Sequence, residues 1–202
     1  MDEAGLIEDA KGGDLNAFNR LVLAYQDLVY NQAYRMMGES AAAEDATQEA
    51  FISAFRKLRS YRGGSFRAWL LRIVTNACYD ELRRRKRRPT TALEPLDSDD
   101  EEIDSPRWIA DPAESPEEFS ERIELSRAIQ DCLEQLPAEY KAVVVLVDIQ
   151  GFDYREASEV IASPVGTVKS RLSRARFRLR DCLQSFWELL PAAFRLVNEG
   201  AP

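Results

Sequence analysis

Histidine is absent from this chain of 202 residues. That gap excludes a Ser-His-Asp triad, a Cys-His dyad and any histidine-ligated zinc. Cysteine is scarce: Cys78, Cys132 and Cys182 stand far apart, with no CxxC pair. An odd number at such spacing reads as small core residues in a reducing compartment, rather than as metal ligands or a disulfide framework. No run approaches the ~20 apolar residues that a membrane-spanning helix needs. The start, Met1-Asp2-Glu3-Ala4-Gly5, is acidic and lacks the basic head and apolar centre of a secretory signal. A cytoplasmic location without membrane insertion is the expectation. With 45% hydrophobic and 31% charged residues, the composition suits one large globular domain or two small ones.

What is present is charge, and it is sorted. The net charge of −8 conceals segments of opposite sign. Residues 1–50 carry ten acids and three bases, whereas residues 51–88 carry twelve bases against Asp80 and Glu81. That second stretch ends in the run Arg83-Arg84-Arg85-Lys86-Arg87-Arg88. Residues 94–121 then hold twelve acids against Arg107 alone, and residues 165–180 hold six bases and no acid. Two cationic surfaces are separated by an anionic strap. Residues 89–116 also contain Pro89, Pro95, Pro106, Pro112 and Pro116, so the strap repels itself and buries too little to fold alone. It reads as a linker over 90–114 between domains at 1–89 and 115–183, with a tail over 184–202.

Both domains read as helical. From Asp14, apolar residues recur at Phe18, Leu21, Val22, Tyr25, Leu28, Val29, Ala33 and Met36, on one helix face up to Gly38. Ser40 can cap a second helix, whose Ala46, Ala50, Phe51, Ala54, Phe55 and Leu58 share a face. After the loop 59–65, Phe66, Trp69, Leu70, Ile73, Val74 and Ala77 mark a third helix that Pro89 must stop. In the second half, Ser115-Pro116-Glu117-Glu118 is a helix-start signature, with Phe119, Ile123, Ile129, Leu133 and Leu136 facing inward. Val143-Val144-Val145-Leu146-Val147 alone could be a strand. Its helical flanks and the stop at Gly151 favour a helix.

Asp153-Tyr154-Arg155-Glu156 is a capping box that opens a short helix with Ala157, Val160 and Ile161 inward. A break at Ala162-Ser163 leads to Pro164, which suits the first turn of a helix capped by Ser163. There Val168, Leu172, Ala175 and Leu179 form an apolar stripe, and Lys169, Arg171, Arg174, Arg176, Arg178 and Arg180 cover the other faces. Two helices in a tight turn, the second basic outside and apolar beneath, make a helix-turn-helix. Six bases without an acid would repel on an ordinary surface helix, but they suit phosphates beside a major groove.

The segment Pro164-Val165-Gly166-Thr167-Val168-Lys169-Ser170-Arg171-Leu172-Ser173-Arg174-Ala175-Arg176 resembles the recognition helix of bacterial sigma factors of the extracytoplasmic-function (ECF) group, in the sigma-70 family. Ala43-Glu44-Asp45-Ala46-Thr47-Gln48-Glu49-Ala50-Phe51 is similar to that group's core-polymerase-binding helix. Phe66-Arg67-Ala68-Trp69-Leu70-Leu71-Arg72-Ile73-Val74-Thr75-Asn76, continuing to Asp80 and Arg83, resembles its promoter-melting helix. The order of the three segments fits, across about residues 10–183. Two positions depart: Ala162 and Ser158 stand where the family often has Gly and Ala.

The resemblance implies an all-α protein of two helical domains, sigma region 2 and sigma region 4, joined by the acidic linker. It implies a factor that binds core RNA polymerase, recognises promoter DNA, melts it and starts transcription, with no enzymatic activity and no cofactor or metal of its own. Asp45, Gln48, Glu49 and Phe51 would dock on the β′ clamp helices, region 4 would meet the β flap, and an anti-sigma factor would be a further partner. At the minus-ten element the resemblance points to Tyr61, Arg62, Arg67, Asn76 and Arg83, with the loop 61–65 selecting a flipped base. Trp69 suits the core better than base stacking. At the minus-thirty-five element, Lys169, Ser170, Ser173 and Arg174 would lie near bases, and Arg155, Arg171 and Arg176 near phosphates. The strap would be a solubilising tether, a nucleic-acid mimic in a polymerase channel, or a shield for the basic helices.

Two rivals compete. A stand-alone helix-turn-helix regulator of duplex DNA explains 153–180 but leaves the first domain unused. A metal-dependent enzyme using Asp99, Asp100, Glu101 and Glu102 lacks a rigid scaffold for its ligands.

Overall fold

Residues 2–87 and 115–190 are described by the computed structural model of the chain; they form helices joined by short turns, with no strand among them. The acidic strap, Asp99 to Glu102 within it, and the end of the tail lie outside the described residues.

The first helix, α1 (Glu3–Gly12), had no counterpart in the sequence reading. Asp2 caps it by accepting from the Gly5 N–H, and Leu6, Ile7 and Ala10 bury its inner face. Ten residues are too few for a stable isolated helix; packing on α2 (Leu15–Met37) holds it. Asp14 caps α2 by accepting from Asn16 and Ala17, and Gly38 ends it as expected, its N–H donating to the Tyr34 carbonyl at 2.8 Å. Leu21, Val29, Ala33 and Met36 bury one face of α2 against α3 (Ser40–Lys57). There Ala43, Ala46, Ala50 and Ala54 keep the two backbones close. Ser40 is not the cap that was expected. Its hydroxyl pairs with the Tyr30 hydroxyl at 3.0 Å, and Glu39 takes the cap position without a side-chain bond. Phe55 also turns outward, 43% exposed, because only its edge reaches Phe18.

A 3-10 turn (Leu58–Ser60) and a loop lead to α4 (Phe66–Arg87), whose Phe66, Leu70, Leu71, Val74 and Cys78 complete the first core. The second domain contains α5 (Pro116–Glu134), α6 (Ala138–Val144), α7 (Tyr154–Val160) and α8 (Val165–Leu183), then a 3-10 turn (Gln184–Leu189). Side chains of residues 116–118, where a capping box was expected, lie outside the described residues. Of that helix's expected inward residues, Phe119 is exposed, whereas Leu133 and Leu136 are buried. The ambiguous valine run is helical: α6 widens into a π turn over Val145–Ile149, and Val143 to Leu146 are all buried. A helix enclosed on every side tolerates apolar residues all round, which is why the run mimics a strand.

The reading of all three cysteines as unpaired core residues needs correction. Cys132 on α5 and Cys182 at the end of α8 form a disulfide, with sulfurs 2.06 Å apart. Packing of α5 along α8 joins residues separated by 50 positions, a juxtaposition that linear spacing does not reveal. Cys78 remains a free thiol, and burial pushes its pKa up to about 12, so it is inert as a nucleophile.

The two domains are in contact. α4 packs on α7, and α2 packs on α5 and α6. Three cations fasten the seam to neutral oxygens. Arg35 donates to Ser126 Oγ and Gln130 Oε1 at 3.2 and 3.3 Å, and Lys141 Nζ donates to the Met36 carbonyl at 3.2 Å. Arg67 donates to the Gln150 carbonyl at 2.5 Å and lies 4.3 Å over the Phe152 ring. Burial pulls the pKa of both Arg35 and Lys141 below the usual values. Among the described residues, no helix is long and apolar enough to cross a membrane.

Candidate nucleic-acid interface

The turn between α7 and α8 is built from short-range bonds. Asp153 accepts from the Arg155 and Glu156 N–H groups at 2.8 Å each, and Glu156 returns the bond to Asp153 N–H at 2.9 Å, which is the expected capping box. Ala162 sits at φ 49°, so the turn uses a left-handed residue where glycine would be unstrained. Ser158 turns its hydroxyl back to the Arg155 carbonyl at 2.6 Å, which consumes the added polar group locally. Ser163 does not cap α8 as expected: Pro164 holds that position, and its carbonyl accepts from Thr167 and Val168. The Ser163 hydroxyl turns instead toward the Ile161 carbonyl.

Val168, Leu172 and Ala175 are buried and Leu179 is half-buried, as the stripe requires. Lys169, Ser170, Ser173 and Arg174 are all exposed, within an arc of ~140° at ~100° per residue. The structure therefore brings these four together on one outward face. Their neighbours differ. Lys169 lies 5.6 Å over the Tyr154 ring, and Arg174 reaches the Tyr140 hydroxyl at 3.5 Å. Arg155 has only a long contact to Glu159, at 3.9 Å, and its side chain is 85% exposed. Arg176 is held in a two-point pair with Asp148 at 3.0 and 2.5 Å, and Arg171 lies 3.7 Å from Glu139. The Asp148 carboxylate raises the pKa of Arg176. Phosphate contact by Arg176 would compete with a short two-point pair, and contact by Arg171 or Arg155 with a longer carboxylate contact, whereas Lys169 and Arg174 pair with no carboxylate among the described residues.

In the first domain, α3 and α4 flank a cleft of about 1010 Å³. Asp45, Gln48 and Glu49 line it from α3, and Asn76, Arg84 and Arg85 from α4. Lys57 of α3 and Asp80 and Glu81 of α4 line it too, and Glu81 pairs with Arg84 at 2.7 Å and with Arg85 at 3.1 Å, so the α4 wall is mixed in charge. Phe51 does not join the α3 wall; it packs half-buried on the core. Ile52 stands in its place. Helical geometry explains the exchange, since position 52 returns to within ~20° of position 45 while position 51 lies ~120° away. That angular test would have found Ile52 in the sequence.

The minus-ten residues do not form one cluster. Arg62 is exposed in the loop, and Arg83 is exposed and pairs with Asp80 at 3.3 Å. Arg67 is spent on Gln150 and Phe152 of the other domain. Tyr61, expected as a direct base contact, is 8% exposed and its hydroxyl donates to the Gly64 carbonyl at 2.7 Å. With its ring against Phe66 and Trp69, it offers no open face to a base. Trp69 is half-buried, reaching the α3–α4 cleft from the core.

Comparison with known families settles the class. A model for Sigma-70 region 2 matches residues 21–88, and one for Sigma-70 region 4 matches residues 126–179. The ECF RNA polymerase sigma factor SigW of Bacillus subtilis is 37% identical over 179 residues, covering 88% of this chain and 95% of that protein. The chain belongs to the ECF sigma factors. SigE of Mycolicibacterium smegmatis, another of this group, is 40% identical over 177 residues, covering 87% of this chain and 65% of that protein. Among solved structures, CnrH in complex with the cytosolic domain of CnrY matches with a TM-score of 0.62 at 26% identity, covering 89% of this chain and 96% of that one. Sigma factors are initiation factors that bring RNA polymerase to promoters, and they are not enzymes. Region 2 falls on α2–α4 up to Arg87 and region 4 on α5–α8.

Proposed function

We propose that this sigma factor docks on core RNA polymerase through the acidic face of α3 and reads promoter DNA with two separate surfaces. Asp45, Gln48 and Glu49 meet basic residues of the β′ clamp helices, with Ile52 as the apolar centre and Phe51 supporting the helix from beneath. Region 4 inserts α8 into the major groove at the minus-thirty-five element and rests against the β flap. Lys169, Ser170, Ser173 and Arg174 then meet base edges, and Arg155, with Arg171 and Arg176 once released from their carboxylates, meets phosphates. In region 2, Arg62 and Asn76 hold the melted minus-ten strand with Arg67 and Arg83, and the loop carries the flipped base. The domains run over 1–89 and 115–183, with the linker over 90–114 and a tail from 184.

The single observation that carries this reading is the outward face of α8: four exposed polar and cationic side chains above a buried apolar stripe, behind a capped helix-turn-helix. The contact between domains adds a constraint. Roughly 25 base pairs at ~3.4 Å each separate the two promoter elements, or about 85 Å of duplex. Domains joined by Arg35, Arg67 and Lys141 cannot span that distance, so the seam opens on the polymerase. Opening also frees Arg67 for DNA. A partner that holds the seam shut would be an anti-sigma factor, and the similar CnrH is solved in complex with a partner domain, that of CnrY. The protein works beside RNA polymerase, in the cytoplasm.

Run-off transcription with core polymerase on a promoter library tests the proposal. Start sites that depend on the added chain, with preferences at both elements, are expected. Duplex binding without any transcript would favour the stand-alone regulator.

A further inference from the structure

The loop between α3 and α4 is held from below more firmly than a surface loop needs to be. Its first residue, Tyr61, donates a backbone bond to the Leu58 carbonyl at 3.0 Å and a hydroxyl bond to the Gly64 carbonyl at 2.7 Å. These bonds frame Arg62, Gly63 and Gly64. Gly63 and Gly64 lie at φ 96° and 95°, and nothing stands within 4 Å of where a Cβ would project. The glycines are therefore required by backbone conformation, not by crowding. On the far side, Ser65 caps α4 by accepting from the Ala68 N–H at 3.1 Å. The loop is a closed bridge between two helix ends.

The Tyr61 ring is gripped from three directions. Phe66 meets it edge-on at 5.5 Å, Trp69 lies at 5.2 Å, and the Lys11 ammonium of α1 stands 5.4 Å from its centroid. Tyr25 touches Phe66 at 5.5 Å and donates its hydroxyl to Glu3, so α1 is tied to the same aromatic cluster at both ends. Burial keeps the Tyr61 phenol protonated and a donor. The Sigma-70 region 2 match begins at residue 21, so Lys11 and Glu3 lie outside the part that defines the family.

We infer that Tyr61 is a positioning residue for minus-ten selectivity, fixing the backbone of the loop 62–64 by its hydroxyl, with α1 as the brace that holds its ring. Tyr61 touches no DNA. It decides which shape the loop presents to an unstacked base, and a loop that wanders accepts more bases. The inference rests on the proposed sigma function and deepens it.

Promoter selection by the full chain with core polymerase tests it, using a library randomised at both elements. Tyr61→Phe retains the ring and removes only the bond to Gly64. Losing one such bond corresponds to about five-fold weaker discrimination, since a net hydrogen bond of ~1 kcal/mol sets the ratio. Preference at the most selective minus-ten position is expected to fall by that factor, while the minus-thirty-five preference recovered from the same transcripts stays unchanged. Lys11→Met loosens the brace and should act in the same direction, by about two-fold if ~0.5 kcal/mol of cation–π contact is lost. Its effect is readable even if Tyr61→Phe folds poorly in thermal unfolding. Unaltered minus-ten preference in either folded variant overturns the inference, as does a wild-type chain with no minus-ten preference. Equal loss at both elements also overturns it, because it would mark a general structural role. A wild-type chain that yields no transcript at all refutes the sigma reading instead.

Discussion

Reduction of the Cys132–Cys182 bond should loosen region 4 by a calculable amount. The bond joins α5 to the last turn of α8 across 50 residues. In the chain-entropy picture, a loop of that size restricts the unfolded chain by ~4 kcal/mol at 25 °C. That is a large share of the 5–15 kcal/mol that ordinarily holds a domain together. With a urea dependence of ~2 kcal/mol per molar, the midpoint should fall by about 2 M on reduction. Urea unfolding of the full chain, followed by circular dichroism with and without dithiothreitol, measures this. The double variant Cys132→Ala/Cys182→Ala should match the reduced protein and no longer respond to reductant. Cys78→Ala should keep the full response, because Cys78 is the buried free thiol. Superimposable curves for oxidised and reduced protein would refute the claim that this link bears on stability.

Other tests address the interfaces. Arg174→Ala should weaken specific promoter binding by about ten-fold, within the ~1–3 kcal/mol of a bidentate guanine contact, and relax one minus-thirty-five position; unchanged sequence preference would remove Arg174 from the reading face. Arg155→Ala should lower affinity equally for all duplexes and flatten the salt dependence by ~0.9 in log–log slope, as measured by anisotropy titrations. Glu49→Lys should weaken core polymerase binding by about ten-fold (~1.4 kcal/mol) through like-charge contact at the clamp helices, and fluorescence titration would detect it. Cys78 gives a pH signature. Its folded pKa lies near 12 against an ordinary 9.0, so its contribution is complete below pH 9 and is lost as pH rises toward 12. Stability should therefore fall by up to ~1.4 kcal/mol per pH unit in that window, and Cys78→Ala should flatten the fall.

Much of the fold was legible because local chemistry and tertiary packing agree. Asp14, Gly38 and the Asp153–Glu156 box mark helix ends by bonds within four residues, and the structure keeps all three. Where a long-range partner competes, local reading fails: Ser40 gives its hydroxyl to Tyr30, and Cys132 meets Cys182 across 50 positions. The short helix α1 escaped because ten residues carry little periodic signal, although Leu6, Ile7 and Ala10 already share a face. The packing of α8 was legible, since Val168, Leu172 and Ala175 form a buried stripe and the cations cover the remaining faces. At the minus-ten side, residue type suggested a role for Tyr61 that burial changes. Nothing in the sequence pattern marks Arg67 as part of a seam with Gln150 and Phe152.

That seam also offers the most direct test of the account, in which core polymerase draws apart two modules that rest together in the free chain. Fluorophores at Asn19→Cys and Gln135→Cys report on α2 and the end of α5; the native cysteines stay silent because two are bonded and the third is buried. Energy transfer should be efficient in the free protein. It should fall sharply once core polymerase and promoter DNA are added, as the domains part to follow ~85 Å of duplex. Transfer that stays high while transcripts accumulate would contradict the account.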